Sequence, residues 1–191
     1  MEAKKTALQC NEEIKSCIGK RVVKLIRYSW WPKEDIAIEC GIAKEFAFSL
    51  TAGPLEVIFD DESSLGVASD PGLNSVIVWR EREPGGRACV KSPLDTDAEL
   101  FSVSADDGDY SSQFFGGVLN HKLIGFSILK KKLMSSLESE LPSELGLCFI
   151  FEENLRFIAS HGLHDGSDDF SVLMPNHLED KQRGQLIEIP L

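Results

Sequence analysis

Apolar and polar residues alternate with a period of two through much of the chain, the mark of strands with one face buried. In FAFSL, Phe46, Phe48 and Leu50 stand in one phase; AGP follows as a turn, and LEVIF returns with Leu55 and Val57 in phase and Ile58 out of it. In LGLCFIF, Leu147, Phe149 and Phe151 share a face, EEN makes a turn, and Leu155, Phe157 and Ala159 come back. The pattern predicts two hairpins, over 46–59 and 147–159.

The hairpins belong to a longer duplication. The first half reads IGKRVVKLIRYSW, then the first hairpin, then LGVASDPGLNSVIVW; the second reads LNHKLIGFSILKK, then the second hairpin, then LHDGSDDFSVLM. Corresponding positions fall about 98 to 101 residues apart, which points to two copies of one supersecondary unit. On this alignment Ser69 and Asp70 stand opposite Ser167 and Asp168, so the shared Ser-Asp pair reads as loop architecture and the histidines as an addition of the second copy.

Helical spacing is rarer. TALQCNEEIKSCIG places Leu8, Ile14 and Ile18 near one helical face and stops at Gly19; SSQFFGGVLN and KKKLMSSLESEL, the latter running up to Pro142, are shorter candidates. A lone hairpin is barely stable, so the two copies are expected to pack around a shared core. The predicted fold is a β-rich α+β: two tandem pseudo-repeated antiparallel sheet units, roughly 10–80 and 110–175, packed together with a few short helices. An acidic connector, 81–109, carries one or two edge strands between them. The SVIVW run predicts a core position for Trp79.

Charge narrows the function. The net charge is −11, which opposes direct binding to nucleic acid, because such binding rests on Lys and Arg displacing counterions. Residues 1–33 are basic and the remainder strongly acidic, a distribution that suits either a self-repelling soluble surface or an acidic face for a basic partner. Five cysteines, an odd number in no Cys-x-x-Cys pattern, point to reduced thiols; with no signal-peptide core and no long apolar run, a soluble cytoplasmic protein that avoids membranes is expected.

The candidate sites are few. HGLHDGSDDF gathers His161, His164, Asp165, Asp168 and Asp169, the residue types of a metal or acid/base centre, but in no known metal spacing. If a metal is held, His161, His164 and Asp165 are the expected ligands. The structural alternative has Asp and Ser capping turns and a histidine held by its neighbours. SADDGDY, with Asp106, Asp107 and Asp109, reads as a solvated acidic turn or a Ca²⁺ loop. Trp30 and Trp31 in YSWWPKED read as core, as a lid, or as an exposed anchor for a partner. Cys148 lies inside a strand pattern, which argues against a Cys148–His161 nucleophile pair. No nucleotide, metalloprotease or hydrolase motif is present, so no catalytic residue and no cofactor is assigned.

IGKRVVKL, followed by an F-x-F-x-L strand, a turn and an L-x-V-x-F strand over Ile18–Phe59, resembles a pattern found among small bacterial immunity proteins of polymorphic toxin systems and their uncharacterised relatives. It recurs more loosely over Leu119–Ile158, and TAGP stands where those proteins carry a Gly-rich turn. The resemblance implies a non-enzymatic antidote that binds one cognate protein toxin, and the acidic charge of the chain points to a basic one. On this reading Asp106, Asp107, Asp109, Asp165, Asp168 and Asp169 supply the contact surface and Trp30 and Trp31 an anchor. Two other classes remain open: a metal-dependent or acid/base enzyme centred on His161, His164 and Asp165, and a structural or assembly protein.

Overall fold

The protein is described here by a computed structural model covering residues 4–89, 94, 99–166 and 169–191. It is an α+β fold of two five-stranded antiparallel sheets. The first holds β1 (Val22–Ser29), β2 (Leu55–Phe59), β3 (Ser64–Asp70), β4 (Ser75–Arg82) and β5 (Phe101–Ser104), in the order β4-β3-β2-β1-β5. The second holds β6 (Leu123–Lys131), β7 (Gly146–Phe151), β8 (Arg156–His161), β9 (Phe170–Leu173) and β10 (Leu186–Pro190), in the order β9-β8-β7-β6-β10. Each strand of the first sheet thus has a counterpart five strands later.

The duplication extends to hydrogen-bond register. The β1–β2 ladder slips one residue between Val22 and Lys24, and the β6–β7 ladder slips at the same place, between Leu123 and Gly125. Asp60 N–H donates to the Arg21 carbonyl at 2.9 Å and Glu152 N–H to the Lys122 carbonyl at 3.0 Å. The two side chains return the favour to the same residues' amides. Glu62 and Asn154 hold equivalent left-handed positions in the following turns, with φ of 65° and 60°.

The two opening strands meet head to head. Arg21 and Lys122 form an antiparallel bridge; Val22 N–H donates to the His121 carbonyl at 3.1 Å and Leu123 N–H to the Lys20 carbonyl at 2.9 Å. Gly19 and its counterpart Asn120 both take positive φ there, 93° and 67°, which Gly and Asn tolerate best. These reciprocal bonds define a local pseudo-twofold axis.

Inward-facing residues of both sheets form one continuous core. Leu25, Val57, Leu65, Val67 and Val103 of the first sheet meet Phe126, Phe149, Phe151, Phe157 and Val172 of the second. Phe149 stacks on Phe157 at 4.6 Å and takes the edge of Phe126 at 5.0 Å, offset and edge-on geometries that ring quadrupoles favour. A smaller apolar layer on the outer face of the second sheet packs Leu129, Cys148, Ile158 and Leu173 under Leu163 and Leu178. Short helices fill the connections: α1 (Asn11–Lys15), α2 (Ile36–Glu39), α3 (Ala47–Leu50), α4 (Gln113–Val118), α5 (Ser136–Ser139) and α6 (Asp180–Gln185).

Three expectations are corrected. FAFSL is not a strand: it is a 3₁₀ turn over Lys44–Phe46 running into α3, with Phe48 in the core and Phe46 38% exposed. Both edges of β2 are taken, by β1 and β3, and five residues of alternation fit a helical turn as well as a strand. The true first hairpin is β2–β3, so its counterparts lie 92 residues apart, as Ser69 and His161 do. Trp79 is not in the core but half-buried on the outer face, lying across Gly66 and donating from Nε1 to Glu81 at 2.6 Å. In the first helix only Ile14 is buried; Leu8 and Ile18 are 42% and 40% exposed.

The hairpin at Leu147–Ala159, the edge strand within 81–109, and the short helices around Gln113 and Ser136 stand where the pattern puts them. Among the described residues no helix is long and apolar enough to cross a membrane.

Candidate functional site

His161 ends β8 and is 2% exposed. Its Nδ1 lies 2.5 Å from Ser69 Oγ and its Nε2 3.2 Å from Asn74 Oδ1, so a neutral imidazole protonated on Nε2 would accept from the serine and donate to the amide oxygen. Asn74 is held in turn by a left-handed backbone, φ 49°, and by its Nδ2 bond to Ser143 Oγ at 2.9 Å. His161 therefore clamps the second repeat onto the first.

The alignment on Ser-Asp pairs is overturned by register. Leu55 pairs with Val67 as Leu147 pairs with Ala159, and two residues further along each strand come Ser69 and His161. His161 thus has a counterpart, Ser69, to which it is bonded, and Ser69 and Asp70 belong to a strand. Ser167 and Asp168 lie outside the described residues.

His164 is exposed and turns to different company. It lines a cavity with His177, whose imidazole is held below its ordinary pKa by burial and, secondarily, by the neighbouring His164. Asp165 is exposed. Among the described residues, no three His, Cys, Asp or Glu side chains converge to hold a metal, so His161, His164 and Asp165 form no such group. Cys148 is buried in β7, and burial pushes its thiol up to about 11, far from thiolate chemistry at neutral pH. All five cysteines are free.

Trp30 and Trp31 follow the end of β1 and are 50% and 45% exposed. The fold draws several other segments to this end. Ser29, the last residue of β1, pairs with Phe101, the first of β5; Lys33 joins Asp107 at 2.8 Å and Lys44 joins Asp109 at 3.2 Å. Both lysines also sit over the Tyr110 ring, at 4.9 and 4.4 Å. Asp106 accepts from Ser104 Oγ. Asp169 approaches Cys40, whose thiol is raised first by burial and then by that carboxylate.

The basic N-terminal segment is largely consumed in such pairs. Lys4 meets Asp70 at 2.9 Å, Lys20 meets Asp61 at 2.8 Å and Arg21 meets Glu152 at 3.3 Å. Arg27 is buried outright, stacked on Phe170 at 4.5 Å, and burial lowers its pKa to about 9. Sequence reasoning missed three participants in these sites: Arg27, His177, and Ser49 of α3, which lines the cavity with His164 and His177. None carries a local motif; the sheet register and the packing of α3 bring them into place.

Compared with known proteins, the chain matches no family model, no curated protein and no solved structure.

Proposed function

We propose that the protein is a non-catalytic binding protein whose partner is a basic protein, and that it acts as the antidote to a toxin. The observation that carries this reading is the exposed aromatic surface at the end of β1: Trp30 and Trp31 half exposed, with Ile38 80% and Phe101 44% exposed on neighbouring segments. Large apolar side chains left exposed are candidates for partner contact, and Trp concentrates binding energy when a partner buries it. The rim carries Asp106, Asp169 beside Cys40, and Asp107 and Asp109 in their pairs with Lys33 and Lys44, and the chain's charge of −11 would steer a basic partner. Residence in the cytoplasm fits the five free thiols.

The reading is tested with the partner purified from the native cell and titrated against variants. Trp30→Ala with Trp31→Ala is expected to weaken binding at least a hundredfold, mainly by faster dissociation. Asp106→Lys with Asp169→Lys is expected to slow association and flatten its salt dependence. Unchanged binding in both variants would refute the surface assignment.

A further inference from the structure

A cavity of about 270 Å³ opens between α3 and the segments flanking β9, lined by Phe46, Ser49, Leu50, His164, Leu173 and His177. Its walls are apolar: an aromatic ring and two leucines. Its polar groups are a hydroxyl and two imidazoles. Ser49 is 1% exposed, and its Oγ has no hydrogen-bond partner. A buried hydroxyl left unpaired is costly, and in a folded protein such a group calls for a partner that the chain itself does not supply.

We propose that this cavity is a binding site for a small, uncharged, single-ring aromatic molecule bearing one hydroxyl, a phenol or its close relative. The volume lies just below the ordinary range for ligand pockets, about 300–1,000 Å³, and above an apolar cavity of about 150 Å³ that accepts benzene, so one substituted ring fits. The ring lies against Phe46, Leu50 and Leu173, and the ligand hydroxyl pairs with Ser49 Oγ. The imidazoles of His164 and His177 supply further polar contacts. A chain of net charge −11 disfavours an anionic ligand, and burial keeps His177 from offering a full positive charge at neutral pH. This site uses neither Trp30 nor Trp31, and its test needs no protein partner.

The test uses p-cresol and p-xylene, in which a hydroxyl and a methyl replace each other on the same ring, titrated into the full chain while the amide resonances of Ser49, Leu50 and Leu173 are followed. The proposal expects saturable shifts at these residues, with p-cresol bound about tenfold more tightly than p-xylene. Ser49→Ala, which keeps the cavity's shape, is expected to erase that preference while leaving p-xylene bound as before. Absence of saturable shifts with p-cresol up to its solubility would overturn the proposal. Equal affinity for the two probes, or a p-cresol preference that survives Ser49→Ala, would overturn it too.

Discussion

Ser69 Oγ and His161 Nδ1 sit 2.5 Å apart at the same register position of two duplicated sheets, so the repeats are bonded to each other through a residue and its own counterpart. The Arg21–Lys122 bridge makes the same kind of contact where the opening strands meet. Two self-facing positions, one polar side-chain pair and one backbone bridge, tie the halves around a shared core. Of the readings open to HGLHDGSDDF, His161 follows the one in which a histidine is held by its neighbours, and serves here as a structural tie.

That role sets a first expectation. His161→Ala removes both ring bonds and leaves the groups around a buried void, and should cost about 2–3 kcal/mol in urea unfolding. In a double-mutant cycle with Ser69→Ala, the pair should show a coupling of about 1 kcal/mol. A loss under 0.5 kcal/mol for His161→Ala would contradict the clamp.

Arg27 supplies a second. It faces the core where the duplicated strand has Ile128, since Arg27 pairs with Leu55 as Ile128 pairs with Leu147. Its Nη2 donates to the carbonyls of Thr51 and Phe170, but Nε and Nη1 have no partner. A buried cation without a carboxylate is a liability, and replacement by an apolar side chain of similar length often stabilises by about 1–4 kcal/mol. Arg27→Met should therefore raise stability at pH 7. The sign with pH follows from the lowered pKa: between about 9 and the guanidinium's higher ordinary value the unfolded chain keeps a proton that the folded one has lost. Arg27 therefore makes stability rise with pH over that window, and the difference between wild type and Arg27→Met should shrink as pH increases.

His177 gives a third, read by NMR titration. Its midpoint should fall below 6.5, with burial the larger cause and His164 the smaller. His164→Gln should move it up only part of the way. Because the folded pKa is depressed, the stabilisation this group provides is fully present above 6.5 and lost as pH falls through the folded midpoint. A midpoint at or above 6.5 would contradict the placement of His177 against the cavity wall.

A fourth concerns Gly66. A Cβ there would fall 2.1 Å from the Trp79 ring, so Gly66→Ala must displace the indole and break its bond to Glu81. Trp79 fluorescence should shift to the red, and stability should drop by about 1–3 kcal/mol, within the usual range for overpacking.

The duplication was legible where its residues are distinctive. IGKRV and LNHKL align one to one with the observed bridge, and GLCFIF and RFIAS alternate cleanly enough to read as a hairpin. FAFSL misled because alternation over five residues does not separate a strand from a helical turn; what decided it was that β2 already had two neighbours. The Ser69–His161 equivalence was hidden because the connection before β9 is longer than the one before β4, so matching the Ser-Asp pairs slid the frame. Arg27 reads as a surface base in a strand, and only the register turns it inward. His177 stands alone beyond β9, with no local pattern to connect it to His164.

The most direct test of the central claim, that this is a binding protein for a basic protein partner, is paired capture from the native cell. Wild type and the Trp30→Ala/Trp31→Ala variant serve as baits at low and high salt, with the composition of each eluate quantified. The account predicts one basic protein, in equal amount with the wild-type bait, reduced by high salt and lost from the variant. An eluate that does not distinguish the two baits, or whose bound protein is acidic, would contradict it.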